Sequence, residues 1–447
     1  MKRKLISVIL AAAMTVVSLA GCGSSSSAKA SGDSVAETGE AVSKTEGETS
    51  DKPVTIKFWN GFTGSDGDEL VELVDKFNSE NKYGINVEMD ISASLDEQLA
   101  SAFAAGDGPD LVLFSSASRF TYGDYLQDIS DIFDKTDLKK DDFIEAYTNY
   151  CSEGDKLYLM PMEIVGFYLY WNKDLFKAAG LDPEKGPQTW DEYVEYAKKI
   201  TDADKNVYGS GLCYGYNYQM AHTIQRFGDL AVTKGDDGKC KANFDGNSGY
   251  AKFLDTYKSL VDSGDNPLTD DTDSMMTAGQ LGMTINGPWL TSGMDTAGIN
   301  YGITTIPTGD AGKMSSAEVI GMAVTTLASE DAKQACYRFI EWWNSKDKNG
   351  ECPSEKWSLD FGYPTYLKSV LESDAYKAND KVMSMTNTDT SLRADFIVDS
   401  AFPGIGKIIS DVIPQMTQPV LFDNKDSGET LTECQKIADT IVGEYNE

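Results

Sequence analysis

The sequence predicts an α/β protein built of two domains. Strand and helix patterns alternate from Val54 onwards, and a second alternating series begins after Pro161. Such alternation is typical of parallel sheets covered by helices. Once the first 52 residues are set aside, roughly 395 residues remain. That length is enough for two domains with cores of their own.

The first series predicts three strands and two helices. The alternating residues 54–59 indicate a strand, and apolar residues between 70 and 77 have the spacing of a helix face. A second strand is predicted over 85–89 and a second helix over 95–105. The apolar run 109–114 is typical of a buried parallel strand.

The second series is marked by a helix start. Thr189 and Glu192 have the spacing of a capping box, in which the threonine accepts from the third amide and the glutamate reaches back. The other predictions in this part of the chain are a strand over 166–171 and helices over 172–179, 250–263 and 329–344, with a mainly helical remainder to Glu447. No second segment is long and apolar enough to cross a membrane.

The N-terminus predicts a secretory signal peptide. A basic start (2–4) precedes an uncharged apolar run (5–20) and small residues before Cys22. The ending Leu-Ala-Gly-Cys resembles the bacterial lipobox, which implies removal of residues 1–21 and acylation of Cys22. Acyl chains would anchor the protein, since each buried methylene contributes about 0.8 kcal/mol. The alternative is an ordinary secreted protein with a cysteine near its cleavage site.

Residues 22–52 predict a flexible tether. They include four consecutive serines, no aromatic residue and only two valines. Such a segment buries too little apolar surface to offset its conformational entropy. We therefore expect the folded part to work outside the membrane while a lipid holds it at the membrane surface.

The charge excludes two classes of partner. The chain has 71 acidic and 39 basic residues, which gives a net charge of −32. Nucleic acids and anionic lipid surfaces are bound through lysine and arginine, so neither is an expected ligand. Aromatic residues make up 11% of the chain, and a sugar-binding cleft would use some of them, although most are expected in the core.

Neither a metal site nor a cofactor is expected. His222 is the only histidine, and the cysteines are scattered. If Cys22 is acylated, six cysteines remain that could pair in an oxidising environment, but their spacing predicts no particular disulfide.

From about Val54 to its end, the chain resembles the extracellular solute-binding proteins of bacterial ABC importers, of the maltose-binding-protein type. The order and spacing of several blocks carry the resemblance: 105–110 (AGDGPD), 170–176 (YWNKDLF), 189–192 (TWDE), 283–289 (MTINGPW), 300–303 (NYGI) and 306–308 (IPT).

The resemblance implies the two-lobed fold of periplasmic binding proteins (type II), with a ligand cleft between α/β lobes that close on a sugar. The implied N-terminal lobe is 54–163 with 306–350, and the C-terminal lobe is 166–303 with 363–447. The implied hinge crossings lie near 162–165, 304–308 and 344–363.

Binding positions follow from the resemblance one at a time. Trp289 matches an aromatic that stacks on a glucose ring; a core tryptophan is the alternative. Phe114 falls where the family has a tryptophan. Arg119 is retained from an Asp-Arg-Phe block whose charged residues bind sugar hydroxyls, whereas Ser118 replaces its acid.

Other positions depart from the family pattern. A family carboxylate falls on Val165, but Glu163 lies two residues earlier, on the same face of a strand. In a family Glu-Pro-Tyr block, Tyr216 replaces the acid and Tyr218 keeps the aromatic. Asp66 is a further candidate, because it is the only charged residue in the segment where the family has an acid and a lysine. The last candidates are the aromatics Trp59, Trp357 and Phe402.

The expected function is that of a lipid-anchored, monomeric oligosaccharide receptor, with malto-oligosaccharides as the first candidates. It would deliver its ligand to two permease subunits and a cytoplasmic ATPase. The lost carboxylates favour a longer or differently linked oligosaccharide than maltose. One alternative is an anchored glycoside hydrolase, which needs two carboxylates across the scissile bond. The motifs of other enzyme classes (GxSxG, P-loop, HExxH and GxGxxG) are absent from the sequence. Another is a surface protein that binds polysaccharide without serving an importer.

Overall fold

The computed structural model describes residues 53–63, 65–311, 317–386 and 402–446. The predicted signal peptide (1–21) and the whole predicted tether (22–52), including Cys22, lie outside the described residues. Within these ranges, no helix is both long and apolar enough to cross a bilayer.

The strands have the following bounds: β1 (Val54–Asn60), β2 (Ile85–Ile91), β3 (Leu111–Ser115), β4 (Ser152–Glu153), β5 (Lys156–Leu157), β6 (Met160–Gly166), β7 (Tyr168–Asn172), β8 (Tyr208–Gly211), β9 (Val232–Lys234), β10 (Cys240–Ala242), β11 (Leu281–Asn286), β12 (Tyr301–Thr305) and β13 (Ala317–Val324).

The α-helices have the following bounds: α1 (Ser65–Glu80), α2 (Leu95–Ala105), α3 (Arg119–Tyr122), α4 (Ile132–Lys135), α5 (Glu145–Tyr150), α6 (Lys173–Ala178), α7 (Trp190–Ile200), α8 (Asn217–Ile224), α9 (Ser248–Asp262), α10 (Thr272–Thr277), α11 (Leu290–Ala297), α12 (Glu330–Trp343), α13 (Pro353–Phe361), α14 (Lys368–Leu371), α15 (Asp374–Lys377), α16 (Asp380–Met385), α17 (Ile405–Lys407), α18 (Ile413–Phe422) and α19 (Ser427–Asn446). Short 3₁₀ turns cover Ser116–Ser118, Gly123–Tyr125, Lys140–Asp142 and Ala203–Lys205, and Ile408–Val412 is a π-helical turn.

The first sheet has the strand order β2-β1-β3-β13-β6. β1 pairs in parallel with β2 and β3, while β13 is antiparallel to both β3 and β6. Ile56 and Phe58 of β1 are fully buried, as the alternating pattern predicted. α1 buries the apolar face predicted between residues 70 and 77.

The second sheet has the strand order β12-β7-β11-β8. β11 is parallel to β8, and β7 runs antiparallel to β11 and β12. α7 begins at the predicted capping box, because Thr189 Oγ1 accepts from the Glu192 amide (3.2 Å) and Glu192 Oε2 accepts from the Thr189 amide (3.3 Å).

The link between the sheets corrects one predicted element. A single strand was expected over 166–171, but the chain leaves the first sheet at Gly166 and enters the second at Tyr168. Phe167 alone separates β6 from β7. Both strands are buried along their whole length, so the apolar run has no polar break that marks the change of sheet.

Six cysteines lie in the part of the chain that the structure describes. All six of them are buried: Cys151, Cys213, Cys240, Cys336, Cys352 and Cys434. No disulfide joins these residues.

Candidate ligand-binding site at the junction of the sheets

The first sheet brings the ends of three strands to one edge. β1, β3 and β6 run in the same direction, so Asn60, Ser115 and Gly166 end at that edge. In α/β sheets, ligands bind outside the carboxyl ends of the parallel strands. The predicted residues Asp66 and Arg119 follow β1 and β3 and therefore begin on this side of the sheet.

The second sheet presents the corresponding edge. β8 and β11 are parallel, and their carboxyl ends lie where β7 begins. Tyr216 follows β8, and Trp289 follows β11 after a Gly-Pro turn. Both predicted aromatics are therefore at the edge from which the chain enters this sheet.

Phe167 links β6 to β7 in the chain, and its ring packs on residues of the second sheet's side. Its centroid lies 5.6 Å from that of Trp289, 5.6 Å from that of Tyr216 and 4.3 Å from the imidazole of His222. Burial, followed by the charge of Arg226, holds the pKa of His222 well below its usual value. The histidine is therefore a neutral packing partner of the junction, and Trp289 and Tyr216 belong to one aromatic cluster.

Carboxyl groups gather on the first sheet's side of the junction. Glu163 of β6 pairs with Ile320, and Glu318 of β13 pairs with Val165. The two glutamates are therefore diagonal neighbours on adjacent strands and share a face of the sheet. Burial is the main cause of the raised pKa of Glu318. The Glu318 carboxyl accepts a hydrogen bond from Ser115.

Glu163 is held in a buried, hydrogen-bonded position. Its pKa is raised to about 8, mainly by burial and to a smaller extent by the nearby charges of Asp66 and Glu318. Trp357 Nε1 donates a hydrogen bond to Glu163 Oε2 (2.8 Å), which acts in the opposite direction. A carboxyl with this pKa is mostly protonated at pH 7, so it can donate as well as accept a hydrogen bond.

Tyr218 brings the second sheet's side close to the carboxyl group of Glu318. Its pKa is raised first by Glu318, then by burial and by Asp96. The hydroxyl at the start of α8 therefore faces acidic side chains of the first sheet's side. The side chain still keeps 38% of its surface exposed, so it remains accessible to a ligand.

A pocket opens beside Trp289 and Tyr216. Its volume is about 230 Å³, and its lining consists of Cys213, Tyr216, Asp270, Asp271, Thr272, Asp273 and Trp289. Trp289 and Tyr216 are both half-buried, which leaves part of each ring facing the pocket. The pocket combines aromatic rings with carboxylates, the two kinds of group that sugar recognition uses.

Several predicted residues are engaged elsewhere. Trp357 is only 1% exposed and stacks on Phe62 and Tyr363, so it supports Glu163 from the core. Arg119 Nη1 donates to the carbonyl oxygens of Ser116 and Tyr150, and burial lowers its pKa.

Among the ring contacts of the described residues, none joins the remaining predicted residues to the aromatic cluster. Phe114 is buried and stacks on Tyr122 at 5.9 Å. Phe402 is buried against Tyr445 at the end of α19. Ser118 lies in the turn after β3, and Trp59 lies within β1, half-buried.

Three residues at the junction were missed by the sequence reasoning: Phe167, Asp273 and Glu318. Glu318 had a detectable signal, because it is an acid inside the otherwise apolar strand β13. Asp273 had none, since it lies in a run of acids and threonines (269–273) that is typical of a solvated loop. Among the residues that the structure describes, no three histidine, cysteine, aspartate or glutamate side chains are grouped to hold a metal ion.

Comparison with known proteins gives a family match. A model of the family "bacterial extracellular solute-binding protein" matches residues 72–384. The sn-glycerol-3-phosphate-binding periplasmic protein of Shigella dysenteriae is 30% identical over 213 residues, which cover 44% of this chain and 46% of that protein. Its Escherichia coli K12 counterpart is 30% identical over 175 residues, covering 36% and 37%. The match thus spans less than half of the length of either curated relative.

Solved structures show the same two-lobed fold. A solute-binding protein of Thermotoga lettingae bound with α-D-tagatose has a TM-score of 0.73 and 23% identity, covering 87% of this chain and all of that one. Maltose-bound MalE3 of T. maritima has a TM-score of 0.73 at 19% identity with the same coverage. The GacH receptor of Streptomyces glaucescens, solved with acarbose, has a TM-score of 0.73 at 18% identity and covers 88% and 100%. These matches confirm the predicted fold class.

Proposed function

This chain belongs to the bacterial extracellular solute-binding proteins, and from that premise we propose that it captures an oligosaccharide outside the membrane for an ABC importer. The ligand would lie at the junction of the two sheets and favour closure of the lobes. The observation that carries the proposal is the aromatic cluster of Phe167, Tyr216 and Trp289 beside buried carboxyls. Flat aromatic faces cover the C–H side of a sugar ring, and carboxyls bind its hydroxyls.

Charge favours a neutral sugar over an anionic solute. Asp66 and Glu318 both raise the pKa of Glu163 on one side of the junction, and Asp273 lines the pocket on the other. A phosphate would be repelled by those carboxyls that are ionised. We therefore expect no binding of glycerol 3-phosphate, although relatives that bind it match part of the chain. Among neutral sugars, we propose malto-oligosaccharides as the first candidates because of the resemblance to the maltose-binding-protein type.

The test is calorimetric titration of the soluble chain from Lys52 onwards with maltose, maltotriose, maltotetraose, xylo- and manno-oligosaccharides and glycerol 3-phosphate. Micromolar or tighter binding of an α-glucan, with the sugar recovered intact, supports the proposal. Tight binding of only another oligosaccharide would keep the receptor and replace the ligand. Binding of glycerol 3-phosphate alone, or cleavage of a sugar, would overturn the proposal.

Trp289→Ala adds a site-specific control. We expect at least a 100-fold loss of affinity, because the ring supplies a stacking face to the ligand. Trp342→Ala removes a half-buried tryptophan of the first lobe, whose ring packs on Phe77 and Phe339 and not on the aromatic cluster among the ring contacts of the described residues. That variant should lose stability but bind normally. Equal affinity loss in both variants would show that Trp289 acts only through folding.

We further propose that lobe 54–163 with 306–350 closes against lobe 166–303 with 363–447. The first sheet draws its strands from residues 54–166 and 317–324, and the second from 168–305, which supports this division. A saturating sugar should reduce the radius of gyration measured by small-angle X-ray scattering. An unchanged radius with bound sugar would contradict closure.

Anchoring and delivery complete the proposal. We infer that Cys22 is acylated, that the mature chain is a monomer, and that it serves permease subunits with a cytoplasmic ATPase. In the native bacterium, Cys22→Ala should move the protein from the membrane fraction to the medium. Incorporation of a labelled fatty acid into Cys22→Ala at the level of the wild type would refute lipid anchoring through Cys22.

A further inference from the structure

We propose that Asp273 and Asp270, together with Tyr216 and Trp289, form a subsite for one sugar ring of the ligand and bind two of its neighbouring hydroxyl groups. The inference rests on the proposed function of oligosaccharide capture and identifies where one ring of that ligand would lie. Neither aspartate was among the residues that the sequence or the resemblance pointed to.

The aromatic residues form a corner rather than a parallel stack. The centroids of Tyr216 and Trp289 are 6.4 Å apart and their planes meet at 61°. One ring can therefore cover the face of a sugar while the other contacts its rim. The pocket's volume of about 230 Å³ equals that of about eight molecules of liquid water, which suits one sugar ring.

Asp273 is fixed in place by the strand that leads to Trp289. Asn286 Nδ2 donates to Asp273 Oδ1 at 2.5 Å, and Asn286 Oδ1 accepts from the Gly287 amide at 2.8 Å. Asn286 ends β11, and Trp289 follows three residues later. The carboxyl group and the indole ring are thus positioned from the same short segment, so little ordering is required when a ligand binds.

The pocket offers a donor beside an acceptor. No hydrogen bond of the Tyr216 hydroxyl is found among the described residues, and its pKa is raised by burial and then by Asp273, so it keeps its proton. Asp273 retains a second carboxylate oxygen, and the exposed Asp270 side chain packs against Gly215, next to Tyr216. Two neighbouring sugar hydroxyls, each able to donate and accept, match this arrangement.

The remaining acid of the pocket lining has a structural task. Asp271 Oδ1 accepts from the Ser274 amide at 3.0 Å and caps α10. Asparagine caps helices as well as aspartate does. Asp271→Asn therefore removes one charge from the pocket lining while preserving the helix start, which makes it a matched control for Asp273→Asn.

The subsite also accounts for a departure from the family pattern. The resemblance places a family acid at Tyr216, where this chain has a phenol. Asp273 brings a carboxyl to the same pocket from a different element, the start of α10. The acidic function is retained at the site although its position in the sequence has moved.

The experiment is calorimetric titration with the oligosaccharide that the wild-type chain binds most tightly. Asp273→Asn should raise Kd by about 10- to 100-fold, the range expected for a hydrogen bond to a charged group. Asp271→Asn should change Kd by less than about threefold. Asp270→Asn, at an exposed position that does not endanger folding, should raise Kd by about three- to tenfold.

Deoxy-sugar analogues separate direct contact from a general loss of charge. An analogue that lacks the contacted hydroxyl should bind the wild type weakly and lose no further affinity on Asp273→Asn. Equal effects of Asp273→Asn and Asp271→Asn, or unchanged binding by both Asp273→Asn and Asp270→Asn, would overturn the subsite while leaving the receptor function intact. A wild-type chain that binds no sugar would overturn the proposed function and this inference with it.

Discussion

Replacement of Glu163 by glutamine should remove part of the protein's dependence on pH. In the folded chain burial raises the pKa of this carboxyl from 4.5 to about 8. In the unfolded chain the same group titrates near its ordinary value of about 4.3. Between these two values the folded state keeps a proton that the unfolded state releases. The stability contributed by the protonated carboxyl is therefore complete at low pH and is lost as pH rises towards 8.

The magnitude follows from the two pKa values. Each unit of difference is worth 1.36 kcal/mol, so the wild-type chain should lose about 3 kcal/mol of unfolding free energy from this group between pH 5.5 and pH 8.5. Glu163→Gln carries no titrating proton and should not show this loss. Its side-chain oxygen can still accept from Trp357 Nε1, which keeps the buried hydrogen bond.

The assay is urea unfolding of the soluble, ligand-free chain at half-unit pH intervals between 5 and 9. The difference in unfolding free energy between Glu163→Gln and wild type should grow in favour of the variant by about 4 kcal/mol across that range, of which about 3 kcal/mol falls between pH 5.5 and pH 8.5. Trp357→Phe removes the donor that lowers the folded-state pKa of Glu163, so its loss of stability should continue to higher pH than in the wild type. Parallel pH profiles for wild type and Glu163→Gln would refute the reasoning.

Three further predictions concern stability and thiol chemistry. Thr189→Ala removes the capping bond of α7 and should cost about 1 kcal/mol in urea unfolding, and an unchanged midpoint would contradict a contribution from the cap. Gly209→Ala would place a Cβ 2.0 Å from the carbonyl oxygen of Ala197 and should lower Tm by more than about 10 °C. In the control Gly406→Ala, the new Cβ meets no atom within 4 Å, so Tm should stay within about 2 °C of the wild type. Similar shifts in both variants would argue against the steric explanation. The six described thiols are buried, and burial raises the pKa of Cys336. The folded chain from Lys52 onwards should therefore react with no thiol reagent until urea unfolds it. Rapid labelling before unfolding would show that a thiol is accessible.

The fold was largely predictable because its local signals are strong. The second helix has the bounds predicted from the pattern, 95–105, and the capping box at Thr189 forms as expected. Both depend on residues close together in the sequence. The change of sheet at Phe167 was not predictable, because burial on both faces makes β6 and β7 read as one apolar run.

The site was predictable only in part, because its residues meet through distant pairings. Trp289 and Tyr216 are brought together with Phe167, but the acids that line the pocket beside them come from the segment 270–273. Glu318 reaches Glu163 only because β13, more than 150 residues later, inserts between β3 and β6. Periodicity within one segment contains no information on such an insertion.

The free-energy cost of burying the Glu163 carboxyl group indicates where the functional site lies. Burial of Glu163 beside Asp66 and Glu318 opposes ionisation of the Glu163 carboxyl, and an apolar side chain of similar size would avoid that cost. Local conflicts of this kind in an otherwise consistent fold are typical of functional sites. Here the conflict occurs where the chain passes from one sheet to the other, beside the exposed ring of Tyr218. A sugar that supplies hydrogen bonds to these carboxyls as the lobes close would relieve part of the cost, so ligand binding and closure would favour each other.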